Sequence, residues 1–120
     1  MSTSRIRVLV DVEIHPGKFA EFESVVKKMA AVSEQEPGTI SYHFLLSADR
    51  SRCRLTEGYT DAAAITAHFA GPAVQQFVPQ MMQVASPTRM EIYGDPGPQV
   101  ASMATAFGAE IFTSWERFDR

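Results

Sequence analysis

The side chains best suited to chemistry lie in the stretch from Glu57 to His68. Ile65, His68 and Phe69 stand at i, i+3 and i+4 in a run that reads as a helix, so they share one face and turn an imidazole toward the interior. An inward histidine must find a partner. It is either a satisfied structural residue or a general base or hydrogen-bonding group in a pocket between helix and sheet, since imidazole alone titrates near neutral pH when unperturbed. Glu57 and Tyr59 share one face of a strand pattern with Cys53 and Leu55. If that face looks toward the helices, an acid and a phenol enter the same apolar space as His68. If it looks away, Glu57 meets a second copy of the chain and makes an ion pair there. His43 lies on the opposite side of its strand from Tyr42 and Phe44, so at most one of these sets faces the pocket. His15, before Pro16 at a strand-to-helix turn, is expected to be exposed.

Other chemistries find no support. The three histidines match no zinc or non-haem iron spacing, so no metal site is expected. GxGxxG, GxxxxGK and GxSxG are all absent, which removes nucleotide cradles and hydrolase elbows. A net charge of -3 supplies no field for a polyanion, and the small cluster Arg50, Arg52 and Arg54 does not change that, so nucleic acid is not an expected partner. No apolar run approaches the ~18 residues of a membrane span, and MSTSRIRVLV alternates charged and aliphatic residues in place of a secretory pattern. Cys53 alone permits neither an internal disulfide nor a cysteine metal site, in keeping with a reducing cytoplasm.

The elements that must position these residues follow from periodicity. Hydrophobic residues at 45% and charged residues at 21% suit one globular domain, and 120 residues leave no room for a second core. Ile6, Val8, Val10, Val12 and Ile14 alternate with polar or mixed residues, giving a first strand that Pro16-Gly17 ends. Phe22, Val25, Val26, Met29 and Val32 recur at helical spacing, which predicts a helix from about residue 18 to the mid-thirties, before Pro37-Gly38. Thr39 to Ser47 and Arg52 to Thr60 read as a hairpin. Asp61 caps a second helix, Ala62 to Ala70; Pro72 opens a third after Gly71, and Pro87 closes that region. Thr88 to Tyr93 gives the fourth strand. The order is the ferredoxin-like β-α-β-β-α-β plan, an α+β fold whose four-stranded antiparallel sheet carries helices on one face and pairs through the other with a second copy. Residues 1–95 form this domain, and 96–120 form a C-terminal extension. Residues 94 to 108 mix Gly, Pro and Ala around a candidate helical turn, while Ala109 to Phe118 looks extended. The extension docks on its own domain or exchanges between the subunits of the dimer.

HPGKFAEFE, EPGTISYHFLLSAD, LTEGYTDAAAITAHF and PTRMEIYG, following a strand of alternating aliphatics, together resemble the antibiotic biosynthesis monooxygenase domain of the dimeric α+β barrel superfamily. The match runs from about residue 5 to 95. The resemblance implies a dimer of two packed sheets, with a pocket between sheet and helices in each subunit. Members include cofactor-independent oxygenases of quinols and anthrones, haem-degrading enzymes and a sugar-phosphate isomerase, so the fold does not decide the reaction. The family's pocket histidine falls on His68 and its strand glutamate on Glu57. Haem-degrading members carry a tryptophan where His68 stands and an axial histidine near Phe77 and Val78, so haem is not implied. The tryptophan and asparagine of some anthrone oxygenases are also missing, since Trp115 is the only tryptophan and the chain has no asparagine.

The expectation is a cofactor-free cytoplasmic monooxygenase acting on an aromatic, phenolic or quinol-like small molecule. His68 is its base or orienter, Glu57 the polar partner, and Tyr59, Phe69, Phe77 and Met81 the substrate-binding residues. A non-catalytic dimeric binding protein and a small-molecule isomerase are the alternatives that would use the same pocket.

Overall fold

A computed structural model describes residues 5–120; the reading of the amino terminus bears in part on residues 1–4, which lie outside the described residues. Five strands form one sheet in the order β2-β3-β1-β4-β5. They are β1 (Ile6–Ile14), β2 (Thr39–Leu46), β3 (Arg52–Tyr59), β4 (Ala85–Tyr93) and β5 (Glu110–Phe112). All neighbours are antiparallel except β4 and β5, which are parallel. The helices are α1 (Phe19–Glu34), α2 (Ala62–Ala70), α3 (Val78–Met81) and α4 (Pro98–Ala106), with a π-helical turn over Ala73–Phe77 leading into α3. Among the described residues, no helix is long and apolar enough to cross a membrane.

The alternation in β1 sends Ile6, Val8, Val12 and Ile14 into the core under the helices, while Arg7 and Glu13 stay exposed. The same rule buries Cys53, Leu55, Glu57 and Tyr59 in β3. The acid and the phenol therefore face the helices. Register places Val8 against Glu57 and Val10 between Leu55 and Met90. The core gathers in two clusters, one around Val12, Phe22, Met29 and Phe77, the other around Ile6, Tyr59, Ile65 and Ile92, and Val10 packs against both.

Three local features differ from the sequence-based expectation. The second crossover does not run as regular helix through Phe77: Pro79 has no N–H for the carbonyl of Gln75 and its ring would collide with it, a physical reason for the wider π turn just before. Pro87 does not end the helical region but lies inside β4, where the register shifts opposite Asp11 and Val12. At that point β4 has no neighbour on its other side, because β5 pairs only with Glu91, Ile92 and Tyr93, so a missing donor is tolerated. The extension carries a nine-residue helix in place of a single turn, with Val100 and Ala104 buried against the cluster around Ile65. Its strand is only three residues long, and beyond Phe112 the chain is exposed, with Trp115 at 93%.

Candidate functional site

His68 is set on α2 by the helix period and by the cap of that helix, where Asp61 accepts a hydrogen bond from the Ala64 N–H at 2.9 Å. Ile65, His68 and Phe69 are all buried, and His68 is 1% exposed. Its Nδ1 lies 2.7 Å from Glu36 Oε1, an oxygen that also accepts from the Thr39 hydroxyl at 2.7 Å. A carboxylate can only accept, so Nδ1 is the donor of this pair, and in the neutral ring that tautomer puts the lone pair on Nε2. Nε2 stands 3.9 Å from Glu57 Oε1, too far for a hydrogen bond, so the imidazole is not committed to that carboxyl group and Nε2 is open to a ligand.

Glu57 has its own anchor in the Tyr59 hydroxyl, which donates to Oε1 from two residues along β3. Tyr42 sits across the strand pair from Glu57, its ring 5.3 Å from the imidazole centroid, and Tyr59 lies at 5.3 Å as well. Burial raises the pKa of Glu57, an effect that the nearby imidazole and the Tyr59 hydrogen bond oppose and the Glu36 charge adds to. Burial pushes the phenols of Tyr42 and Tyr59 far above their ordinary value, and Glu57 adds to this when it is ionised, so both stay neutral donors. The site thus offers a base atom at Nε2 next to a carboxyl group inclined to hold its proton.

These groups close one end of a cavity of about 220 Å³. It lies where the two core clusters part, with Val10 and Leu55 on its floor and Met29, Phe69, Val74 and Met81 around it. Tyr42, Glu57 and His68 supply the polarity of the closed end. The open end is formed by Met82, Thr88, Arg89, Phe107 and Gly108, all exposed.

Of the residues expected from the sequence, His68, Glu57, Phe69 and Met81 come together on this wall. Tyr59 stands behind Glu57 and holds it without lining the cavity. Phe77 is not on the wall: the π turn directs it into the cluster with Phe22 and Met29. His43 is exposed on the outer sheet face while Tyr42 faces the pocket, and His15, partly exposed, bonds Ser86 Oγ at 2.8 Å. Glu36 is the site residue sequence reasoning missed, and Tyr42 is one it left undecided between pocket and outer face. Pairing β2 with β3, which sets Tyr42 opposite Glu57, would have decided it.

Residues 5–80 match the family model described as antibiotic biosynthesis monooxygenase, and the chain belongs to that family. The crystal structure of MupZ from Pseudomonas fluorescens matches the whole chain, extension included, and 91% of its own length, with a TM-score of 0.83 at 18% identity. SnoaB from Streptomyces nogalater, a cofactor-independent oxygenase, is similar over 79% of this chain and 96% of its own, with a TM-score of 0.68 at 20% identity. A conserved protein from Methanosarcina mazei Go1 is similar over 76% of this chain and 92% of its own, with a TM-score of 0.70 at 19% identity. No curated protein matches the sequence.

Proposed function

We propose that the protein is a cofactor-independent monooxygenase that takes an electron-rich aromatic, phenolic or quinol-like compound into the cavity. The observation that carries this reading is the Glu36–His68–Glu57 arrangement at the buried end of an apolar slot. His68 Nε2 removes a proton from the bound substrate, and Glu36 stabilises the imidazolium that forms. Glu57, holding its proton, donates to the substrate oxygen on which negative charge develops. The resulting anion passes an electron to dioxygen, and the radical pair combines at carbon. For a methylene activated by flanking rings, the hydroperoxide then loses water. One methylene and one dioxygen molecule thus give one ketone and one water, with both reducing equivalents drawn from the substrate. Exclusion of water by Met29, Phe69 and Met81 protects the carbanion from reprotonation. The likeness to SnoaB, a cofactor-independent oxygenase, favours this route over acid-base chemistry alone.

The test is oxygen uptake with a panel of anthrones and quinols. At least one member should consume oxygen, and His68→Gln should lower kcat by about 100-fold or more. Glu36 does not line the cavity, so it is a positioning residue. Glu36→Gln keeps an acceptor for Nδ1 but not the charge, and should lower kcat about tenfold with KM unchanged. Conversion without oxygen would make the protein an isomerase, and binding without turnover a sequestering module; either result ends the oxygenase reading.

The proposal extends to assembly as a homodimer joined through the outer sheet face. Its charges are already matched within the face: Arg54 holds both oxygens of Asp11, at 2.7 and 3.0 Å, and Arg89 pairs with Glu91 at 2.8 Å. A face with its charges paired can be covered at smaller cost than one with isolated charges. The buried single thiol, Cys53, suits the cytoplasm.

A further inference from the structure

The cavity has a direction. Its polar end lies on β2, β3 and α2, and its open end on the edge of β4, so it crosses the sheet perpendicular to the strands. From Tyr42 on β2 to Met90 on β4 is three strand spacings, or about 14 Å at roughly 4.8 Å each. A volume of about 220 Å³ drawn out over that distance describes a slot and not a chamber. It opens on β4 just before the strand's pairing with β5 begins at Glu91.

The mouth is built from large apolar side chains that solvent would ordinarily exclude from such a place. Met82 is 42% exposed and Phe107 61% exposed, and they come from separate elements, the end of α3 and the end of α4. Phe107 is held there by a defined helix end. Gly108 takes φ +81°, its N–H reaches the Thr105 carbonyl at 2.9 Å, and the Ala109 N–H reaches the Ala104 carbonyl at 2.9 Å. The charged residue at the mouth, Arg89, sends its guanidinium to Glu91 on the outer face of the sheet, with two nitrogens at 2.8 and 2.9 Å from the carboxylate. Nothing there favours an anionic tail over an apolar one.

We propose that the substrate is an elongated amphiphile: its acidic, phenol-like head sits at His68 and Glu57, and an apolar tail follows the slot and leaves between Met82 and Phe107. The turn between α4 and β5 then sets which tails are accepted, and that gives the C-terminal extension a function. The placement of the head rests on the proposed oxygenase reading; the tail path rests on the slot and its mouth.

The experiment is anaerobic calorimetric titration of the whole protein with para-ethylphenol, para-butylphenol, para-hexylphenol and para-octylphenol. One site per chain is expected, with affinity rising about fourfold per methylene while the tail is inside the slot. Phe107→Ala and Met82→Ala, both at exposed positions, should weaken para-octylphenol by about threefold or more and leave para-ethylphenol unchanged. Equal affinity along the series overturns the proposal, as does a loss in these variants that is the same for all four phenols or absent from all. Because no turnover is read, a normal chain-length series in a protein that consumes no oxygen leaves the slot assignment standing and removes only the oxygenase. Oxygen uptake with tail-less polycycles and no chain-length dependence does the reverse.

Discussion

Glu57 is a buried carboxyl group with one firm partner, the Tyr59 hydroxyl, and a second nitrogen 3.9 Å away. Desolvation raises its pKa above the ordinary 4.5. The sign of the linkage follows. As pH rises past the unfolded value, the unfolded chain releases the proton while the folded chain keeps it, so Glu57 withdraws stability until pH passes its folded pKa. Glu57→Gln keeps an acceptor for Tyr59 and removes the titration. The difference in melting temperature between the variant and the parent should therefore move in favour of the variant as pH goes from about 5 to about 8. A difference that stays constant, or that moves toward the parent, would show that Glu57 is held as a carboxylate by His68, and the acid role assigned to it would go.

At the scale of elements, the Glu36–His68 contact depends on how closely α2 approaches the start of β2. Gly38 sets that approach: a Cβ there would come within 2.4 Å of Ala64 Cβ and 3.3 Å of Ala64 Cα, and a helix backbone cannot yield as a flexible side-chain tip can. Gly58 makes the contrast, since its nearest neighbour would be the Ser41 hydroxyl at 2.7 Å, which can rotate away. Gly38→Ala should cost about 2 kcal/mol of stability by overpacking, and Gly58→Ala less, as measured by urea unfolding; equal effects would mean that α2 shifts freely. This contact also shows where sequence reading stops. The strands and α2 were legible because Val8, Val12 and Ile65 repeat at a period that matches their burial, and His68 came with them. Glu36 was not legible, because it stands in a loop before Pro37 and meets a residue 32 positions away, so no local pattern records the pairing. Helix α4 was hidden by its Pro and the glycines that flank it, Gly97 and Gly108, which read as loop until Val100 and Ala104 find a surface to pack on. The strand expected through Phe118 failed for the opposite reason: alternating aromatics specify a strand only where a neighbour pairs with them, and β4 ends at Tyr93.

For the molecule as a whole, the sheet is covered on one face only. On the open face Leu9 stands on the central strand β1, opposite Glu91 and two residues from Asp11, while Leu45, 42% exposed, stands on the edge strand β2 opposite Arg54; the charges near them are paired, Asp11 with Arg54 and Arg89 with Glu91. At the β5 edge, the rings of Tyr93 and Phe112 meet at a tilt of 52° with centroids 5.9 Å apart. An antiparallel sheet can leave one face in water, so apolar residues on it do not by themselves demand a partner. What argues for one is the combination of apolar groups on this face with charges that need no solvent to balance them. Light scattering at micromolar concentration should give twice the 13.3 kDa chain mass. Leu9→Asp, which would set a further carboxylate opposite Glu91 and near Asp11 on the central strand of the contact, should return the protein to the chain mass with its circular dichroism unchanged. A parent protein that already scatters as a single chain would sink the dimer. Trp115, the only tryptophan and 93% exposed within its own chain, then locates the tail: if its emission shifts to the blue as the subunits associate, the arm beyond β5 lies in the interface, and if it does not, the two sheets make the contact without it.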